Sequence, residues 1–487
     1  MAKLASLLSF LTICLLIVFS AQATQPSQRQ SQCNIQNINA LEPNQRLQSE
    51  AGITELWNED DNQLECAGVA MIRYTIQPRG LLLPHYHNAP KLTYVIQGRG
   101  MHGLALSGCP ETFQSSSQQQ SQEREQQGES QQQQRFRESD QHQKVQQIRQ
   151  GDIVAIPNGV PAWFYNEGES PLVLVALIDT SNNENQLDNY RRSFYLAGNP
   201  QQLVQQQQGQ QGQSPYQGRG SQQQQDQMRI GNIFQGMDDQ MLAEAFGVST
   251  DTVRKMRGEN DNRGTIVRVE NGLQTIRPPR REQQQWEQQQ EQGLQQEQQG
   301  NGVEESTCNM KLRLNIDNPS RADIYNPQAG RINRINSRNL PILRAFQLNA
   351  ERGVLYRNAL NAPHFHQNAH SVVYVTRGTA QVQIVGNYQQ PIFDGELRQG
   401  QVLVVPQNFA VVARAGNNGF EWVSFKTNDN VVNNALAGRN SAIRALPQEV
   451  LMNAFRISSQ EAWRLKFNRE EEELFAPRFQ SQQRAFA

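Results

Sequence analysis

Two stretches of this chain alternate apolar and polar side chains with a period of two: residues 67–108 and Gln150–Ile178. Gly, Pro and Asn punctuate both, so each predicts short antiparallel strands. The second stretch contains the apolar runs Ile153–Ile156 and Leu172–Ile178. The alternation fails over about 114–147, 199–228 and 282–301, where Gln dominates with Ser, Glu and Arg. Such segments bury too little apolar surface to offset the entropy of ordering, and disordered inserts are expected there. Residues 24–45 are polar and read as extended. Across Asp238–Arg257 the period changes to that of a helix, with Leu242, Ala245, Phe246, Val253 and Met256 on one apolar face. Gly247 breaks it, and Ser249 or Thr250 is placed to cap a second helix.

The pattern repeats. Residues 80–100 read GLLLPHYHNAPKLTYVIQGRG and residues 360–380 read LNAPHFHQNAHSVVYVTRGTA. Each holds a His-x-His pair, an apolar strand and a Gly turn. Five of the seven histidines fall here: His85, His87, His364, His366 and His370. The helical patch recurs too, 241–258 matching 450–468, with Leu242 and Phe246 answered by Leu451 and Phe455. The unit is therefore a strand-rich core followed by a helical arm, made twice, with the first two Gln tracts inserted in the first copy.

The N-terminus reads as a secretory signal over residues 1–23: Lys3, the apolar run Leu4–Phe19, then Ala21-Gln22-Ala23. Cys14 leaves with it. Cys33, Cys66, Cys109 and Cys308 remain, an even number in a chain expected to meet an oxidising compartment. Two disulfides are expected, and the residues alone leave three connectivities open. A net charge of −1 speaks against nucleic-acid binding. That balance is uneven. Residues 302–487 carry 21 Lys and Arg against 15 Asp and Glu, a surplus of +6, which leaves −7 for residues 1–301. Beyond the signal, no stretch is long and apolar enough for a membrane span.

On a strand, side chains two apart point the same way, so each His-x-His pair aims two imidazoles at one cavity. This resembles the first metal-binding motif of the cupins, small antiparallel barrels in which two His, a Glu and a third His hold a metal. In the first copy Gly80, His85, His87 and Gly98 fall in the pattern, but Lys91 takes the Glu position. Its second motif keeps Gly151, Pro157, Gly159 and Asn166, with Ala162 at the third His. In the second copy His370 takes the Glu position. Gly400 and Pro406 persist there, Asn408 replaces Gly and Val411 replaces His. No bound metal, cofactor or catalytic residue is expected. The trio His364, His366 and His370 is the weak candidate for zinc or copper. Neither motif offers an obvious carboxylate base.

A second signal surrounds residue 301: QQGNGVEESTCNMKLRLNI, then NPSRADIYNPQAGRI and NLPILRAFQLNAERGVLY. With these, nearly the whole chain resembles a legumin-type (11S) seed storage globulin. The resemblance implies a mainly β fold of two jelly-roll cupin barrels, each with a helical arm: residues 24–258, a variable Gln-rich linker at 259–301, and 302–487. It implies a non-enzymatic nutrient reservoir, carried through the endoplasmic reticulum to the protein storage vacuole of seeds. A precursor trimer and mature hexamer, made with like or related subunits, are implied. So is cleavage by an asparaginyl endopeptidase between Asn301 and Gly302, giving an acidic and a basic chain. The resemblance pairs Cys33 with Cys66 and Cys109 with Cys308, the latter across the cut. The Gln tracts suit this reading, since each Gln adds a side-chain amide nitrogen. The alternatives are a metal-dependent cupin enzyme of the oxalate-degrading type, and a small-ligand binding module.

Overall fold

A computed structural model describes residues 33, 35–111, 113–114, 141–143, 145–203, 229–275, 308 and 310–477. The signal, the centres of the Gln tracts, and Asn301 and Gly302 lie outside the described residues.

The alternating stretches form strands. In the first unit these are Ala70–Ile76, Gly80–His87, Lys91–Gln97, Arg99–Leu104, Asp152–Ile156, Ala162–Tyr165 and Leu172–Ile178. They divide into two mainly antiparallel sheets. Leu82, Val95, Val154, Phe164, Leu174 and Ile178 from both sheets share one buried core, the barrel interior. The second unit repeats the plan in one ten-stranded sheet. Two long strands, Ser371–Val385 and Ala410–Lys426, pair along most of their length, with register shifts where they turn.

Alternation explains the near-continuous apolar runs. Leu92, Tyr94, Ile153, Val175 and Leu177 point away from the first interior. They pack in one cluster with Val372, Tyr374, Val402, Val404, Val423 and Phe425 of the second unit. These strands are covered on both faces, which removes the need for polar residues on either. The barrels therefore join back to back. Arg73 Nη1 donates to Tyr374 Oη at 3.0 Å, and Tyr94 Oη to Asp317 Oδ2 at 3.1 Å.

Each unit also lends a segment to the other. Near the N-terminus, Ile38 N donates to Ile392 O at 2.9 Å, and Leu41 exchanges backbone hydrogen bonds of 2.7 and 2.8 Å with Val402. In return, Arg313–Asn315 adds an antiparallel strand to Asp152–Val154 of the first barrel. Arg313 and Asn315 both reach the buried Asp152 carboxylate, at 3.0 and 2.8 Å. The 259–301 region is not wholly a linker. Ile266–Arg268 pairs with Gly80–Leu82, and Ile266 sits in the first core.

The helical patch forms two helices, Asp239–Phe246 and Thr250–Met256. Gly247 closes the first at φ +64°, a conformation that costs glycine little. Ser249, rather than Thr250, caps the second by accepting from Thr252 N. The matching arm, Gln448–Phe455 and Ser459–Phe467, has Arg456 at φ +55° in place of the glycine and a full capping box of Ser458 and Glu461. Leu242, Val253, Leu451 and Ala462 are buried. Ala245 and Phe246, expected on the same face, are exposed instead, as is Phe455. Helical period marks a common stripe but cannot say how far the barrel covers it. No described helix is long and apolar enough to cross a membrane.

Candidate functional site: the two barrel interiors

His85 and His87 lie on the strand Gly80–His87 and alternate inward, their ring centroids 5.1 Å apart. His85 Nδ1 donates to Leu83 O at 2.8 Å, because a carbonyl can only accept. That fixes the tautomer and leaves a lone pair on Nε2, the atom a metal would take. Lys91 Nζ reaches it at 3.2 Å. The residue at the carboxylate position thus supplies a tethered cation where an ion would sit. Both side chains are buried, and Tyr195 stacks on the His85 ring at 4.9 Å. Burial pushes the Lys91 ammonium down to about 7. Burial, then the Lys91 charge, pushes His85 and His87 well below the ordinary histidine range. Ala162 stands directly opposite His85, where the third imidazole would come from. His87 Nδ1 contacts Ser193 Oγ at 3.2 Å. Its Nε2 is buried without a hydrogen-bond partner among the described residues.

The second interior keeps the same pair, His364 and His366, centroids 5.3 Å apart. His364 Nδ1 donates to Ala362 O at 2.8 Å. Val411 faces His364 as Ala162 faces His85. His370 is not part of this group. Sequence spacing puts three residues between His366 and His370, as between His87 and Lys91, yet strand register does not follow that count. Lys91 pairs with Ile178, and Ser371 pairs with Lys426 at the equivalent rungs. One extra residue precedes the strand in the second copy, so the carboxylate position is the buried Ser371. His370 falls outside, beside the Cys33–Cys66 disulfide. The trio proposed from sequence is therefore an inward pair plus an imidazole that sits with the two cysteines.

The cation of the second interior comes from the neighbouring strand. Lys426 Nζ donates to Glu351 Oε2 at 2.7 Å, and Arg334 Nε to the same oxygen at 2.9 Å. Arg334 Nη2 also reaches Glu473 Oε2 at 2.6 Å. Burial alone would raise the Glu351 pKa, but Lys426 and Arg334 hold it well below the carboxylate range. Burial lowers His364, His366 and Lys426. The network was not visible in the sequence, because its four members are scattered from 334 to 473. In the first barrel the rungs of Glu351 and Lys426 carry Ile72 and Ile178, by the pairing of each strand with its neighbour.

Chemically, the two interiors differ in what stands beside the imidazoles, and His366 Nδ1 is buried without a hydrogen-bond partner among the described residues. The first presents an ammonium. The nearest carboxylate of the second is already paired with two cations. Among the described residues, the one cluster of three possible ligand groups lies elsewhere, at Cys33, Cys66 and His370. Both disulfides join the pairs the resemblance implied, Cys33–Cys66 with Cα atoms 4.8 Å apart and Cys109–Cys308 with 5.4 Å.

The cupin family profile matches residues 38–202 and 314–462, one match per barrel. The chain is 49% identical to the 11S globulin seed storage protein 1 of Carya illinoinensis, over 99% of this chain and 98% of that one. It is 48% identical to an 11S globulin of Juglans nigra, over 96% of each. Among solved structures, that of the coconut allergen cocosin superposes with a TM-score of 0.76 at 44% identity, covering 92% of this chain and all of that one. With two cupin barrels and full-length likeness of this degree, the chain belongs to the legumin-type 11S seed storage globulins of the cupin family.

Proposed function

We propose that this chain is a nutrient reservoir of nitrogen and amino acids, without enzymatic activity, deposited in the protein storage vacuole of seeds after passage through the endoplasmic reticulum. The observation that carries this reading is the pair of filled interiors. The barrel walls are kept, while Lys91 stands on the His85 nitrogen an ion would take in the first, and in the second the buried Glu351 carboxylate is already bound to Lys426 and Arg334. Such an interior lacks the three or four convergent ligands that a catalytic metal site uses. The relatives named as seed storage proteins support the same reading.

The precursor is cut between Asn301 and Gly302 by an asparaginyl endopeptidase, giving an acidic and a basic chain joined by Cys109–Cys308. The charge division at this point supports the cut, as does its place at the end of a Gln-rich tract. Precursors assemble as trimers, and the cut form as hexamers, with like or related subunits. The apolar side chains exposed on both arms, Met241, Phe246, Phe455, Trp463 and Leu465, support burial against other copies. Electrophoresis of seed protein tests the processing. One linked species is expected without reductant and two chains with it, the smaller beginning at Gly302. A single uncut chain under both conditions contradicts it. Turnover of oxalate by the purified protein would replace the reservoir reading with an enzymatic one.

A further inference from the structure

The group at Cys33, Cys66 and His370 draws on three parts of the chain. Cys33 belongs to the N-terminal segment that crosses the second barrel and is exposed. Cys66 is buried on the helix Asn62–Ala67, which Asp61 caps at one end and Gly68 closes at the other. His370 comes from the second barrel. Its backbone is pinned on both sides by Thr427: His370 N donates to Thr427 Oγ1 at 3.0 Å, and Thr427 N to His370 O at 3.1 Å. Gln407 N donates to His370 Nδ1 at 3.3 Å, which marks a lone pair on that nitrogen; an ion bound there takes the place of this contact. One ligand atom from each residue lies within 4.8 Å of the others.

We infer that this is a latent thiolate–imidazole site, closed while the disulfide is intact and able to take one borderline divalent cation of the Zn²⁺ class once it is reduced. As a disulfide, the two sulfurs are bonded to each other and are poor ligands. A dithiol reductant supplies two electrons and two protons. Its own thiols close to a disulfide, while the Cys33–Cys66 bond opens to two thiols. Binding the cation releases those two protons and leaves two thiolates and a neutral imidazole on the ion, with water in the fourth position. Tetrahedral zinc needs sulfurs about 3.8 Å apart at metal–sulfur distances near 2.3 Å. The cluster already lies within that order of spacing. Cys66 and His370 are held by their own backbones, so two of three ligands stay in place when the bond opens, and exposed Cys33 is the sulfur a reductant reaches. The ion then replaces the disulfide as the anchor between the N-terminal segment and the two barrels.

The test uses the full chain, reduced with a phosphine that is then removed without oxygen, and Co²⁺ as the spectroscopic probe. About one equivalent should bind, with thiolate-to-cobalt absorption in the near ultraviolet and the visible bands of a tetrahedral ion. The oxidised chain should show neither. His370→Ala leaves the disulfide able to form and should weaken binding by more than the roughly 10–100-fold that loss of an outer-shell partner costs. Cys109→Ser/Cys308→Ser should bind as the parent does. Absence of the thiolate band, equal binding by His370→Ala, or loss of near-ultraviolet circular dichroism on reduction would each overturn the inference, the last because no preformed site would survive to bind.

Discussion

The two barrels answer one question in two ways. Both keep a pair of imidazoles aimed inward, and both hold a buried lysine near them. In the first, the lysine stands on the imidazole strand's sequence neighbour and reaches His85 directly, with no carboxylate among its partners in the described residues. In the second, the lysine stands one strand across and is neutralised by Glu351, itself shared with Arg334 and linked through it to Glu473. The first interior therefore relieves its cation by pushing it toward the neutral amine, the second by pairing it. Filling the space is the common requirement, and the chemistry of the filling is free to differ.

Substitutions can separate these two solutions. The largest effect is expected from Glu351→Ala, which leaves Lys426 and Arg334 without their shared carboxylate. Removal of one member of a buried ion pair costs about 3–5 kcal/mol, and denaturant unfolding should show a loss of that size. Glu351→Leu with Lys426→Met should recover most of it, because no unpaired charge remains. An equal loss in the double variant would mean the network stabilises by more than charge balance.

A pH series sharpens the comparison next. Lys91 is depressed to about 7, so between there and its ordinary value near 10.5 the unfolded chain binds a proton the folded chain does not. Stability should rise with pH across that window, by about 1.4 kcal/mol per unit while the full proton difference holds. It should be weakest near and below pH 7. Lys426, lowered by burial, adds a slope of the same sign, so Lys91→Met should reduce the slope without abolishing it. Below pH 6.5 the depressed His85, His87 and His366 add loss of the same sign, since the unfolded chain protonates first. A slope unchanged by Lys91→Met would place the titrating group elsewhere.

The smallest effect concerns the arms. Ser249 and Ser458 cap equivalent helices, yet only Ser458 is in a reciprocal box with Glu461. Each Ser→Ala change should cost about 0.5–2 kcal/mol, with Ser458→Ala the larger. Equal losses would show that the Glu461 contact adds nothing.

Much of this was legible in the sequence, for physical reasons that also set the limit. A period of two is imposed by the strand itself, so Leu172–Ile178 and the inward pairs His85/His87 and His364/His366 could be read directly. The break at Gly247 and a cap at Ser249 or Thr250 could be read because Ser, Thr and Gly suit those places, while the choice of Ser249 came from the structure. The spacing after His366 could not. Counting residues through a turn does not reveal whether three or four precede the strand, and only register showed that Ser371, not His370, faces inward. Exchange of segments was equally hidden. Arg313–Asn315 is three residues long and polar at both ends, too short for a period, and is fixed by Asp152 far away in sequence. Phe246 was misplaced because an amphipathic stripe tells which side is apolar and not what covers it.

The central claim is that protein side chains occupy the places where an ion would sit. Calorimetric titration of Mn²⁺ and Zn²⁺ into the oxidised full chain, in parallel with His85→Ala/His87→Ala and His364→Ala/His366→Ala, addresses it most directly. The account predicts no saturable binding that either pair of substitutions removes. One equivalent of ion bound by the parent chain and lost with either histidine pair would contradict it.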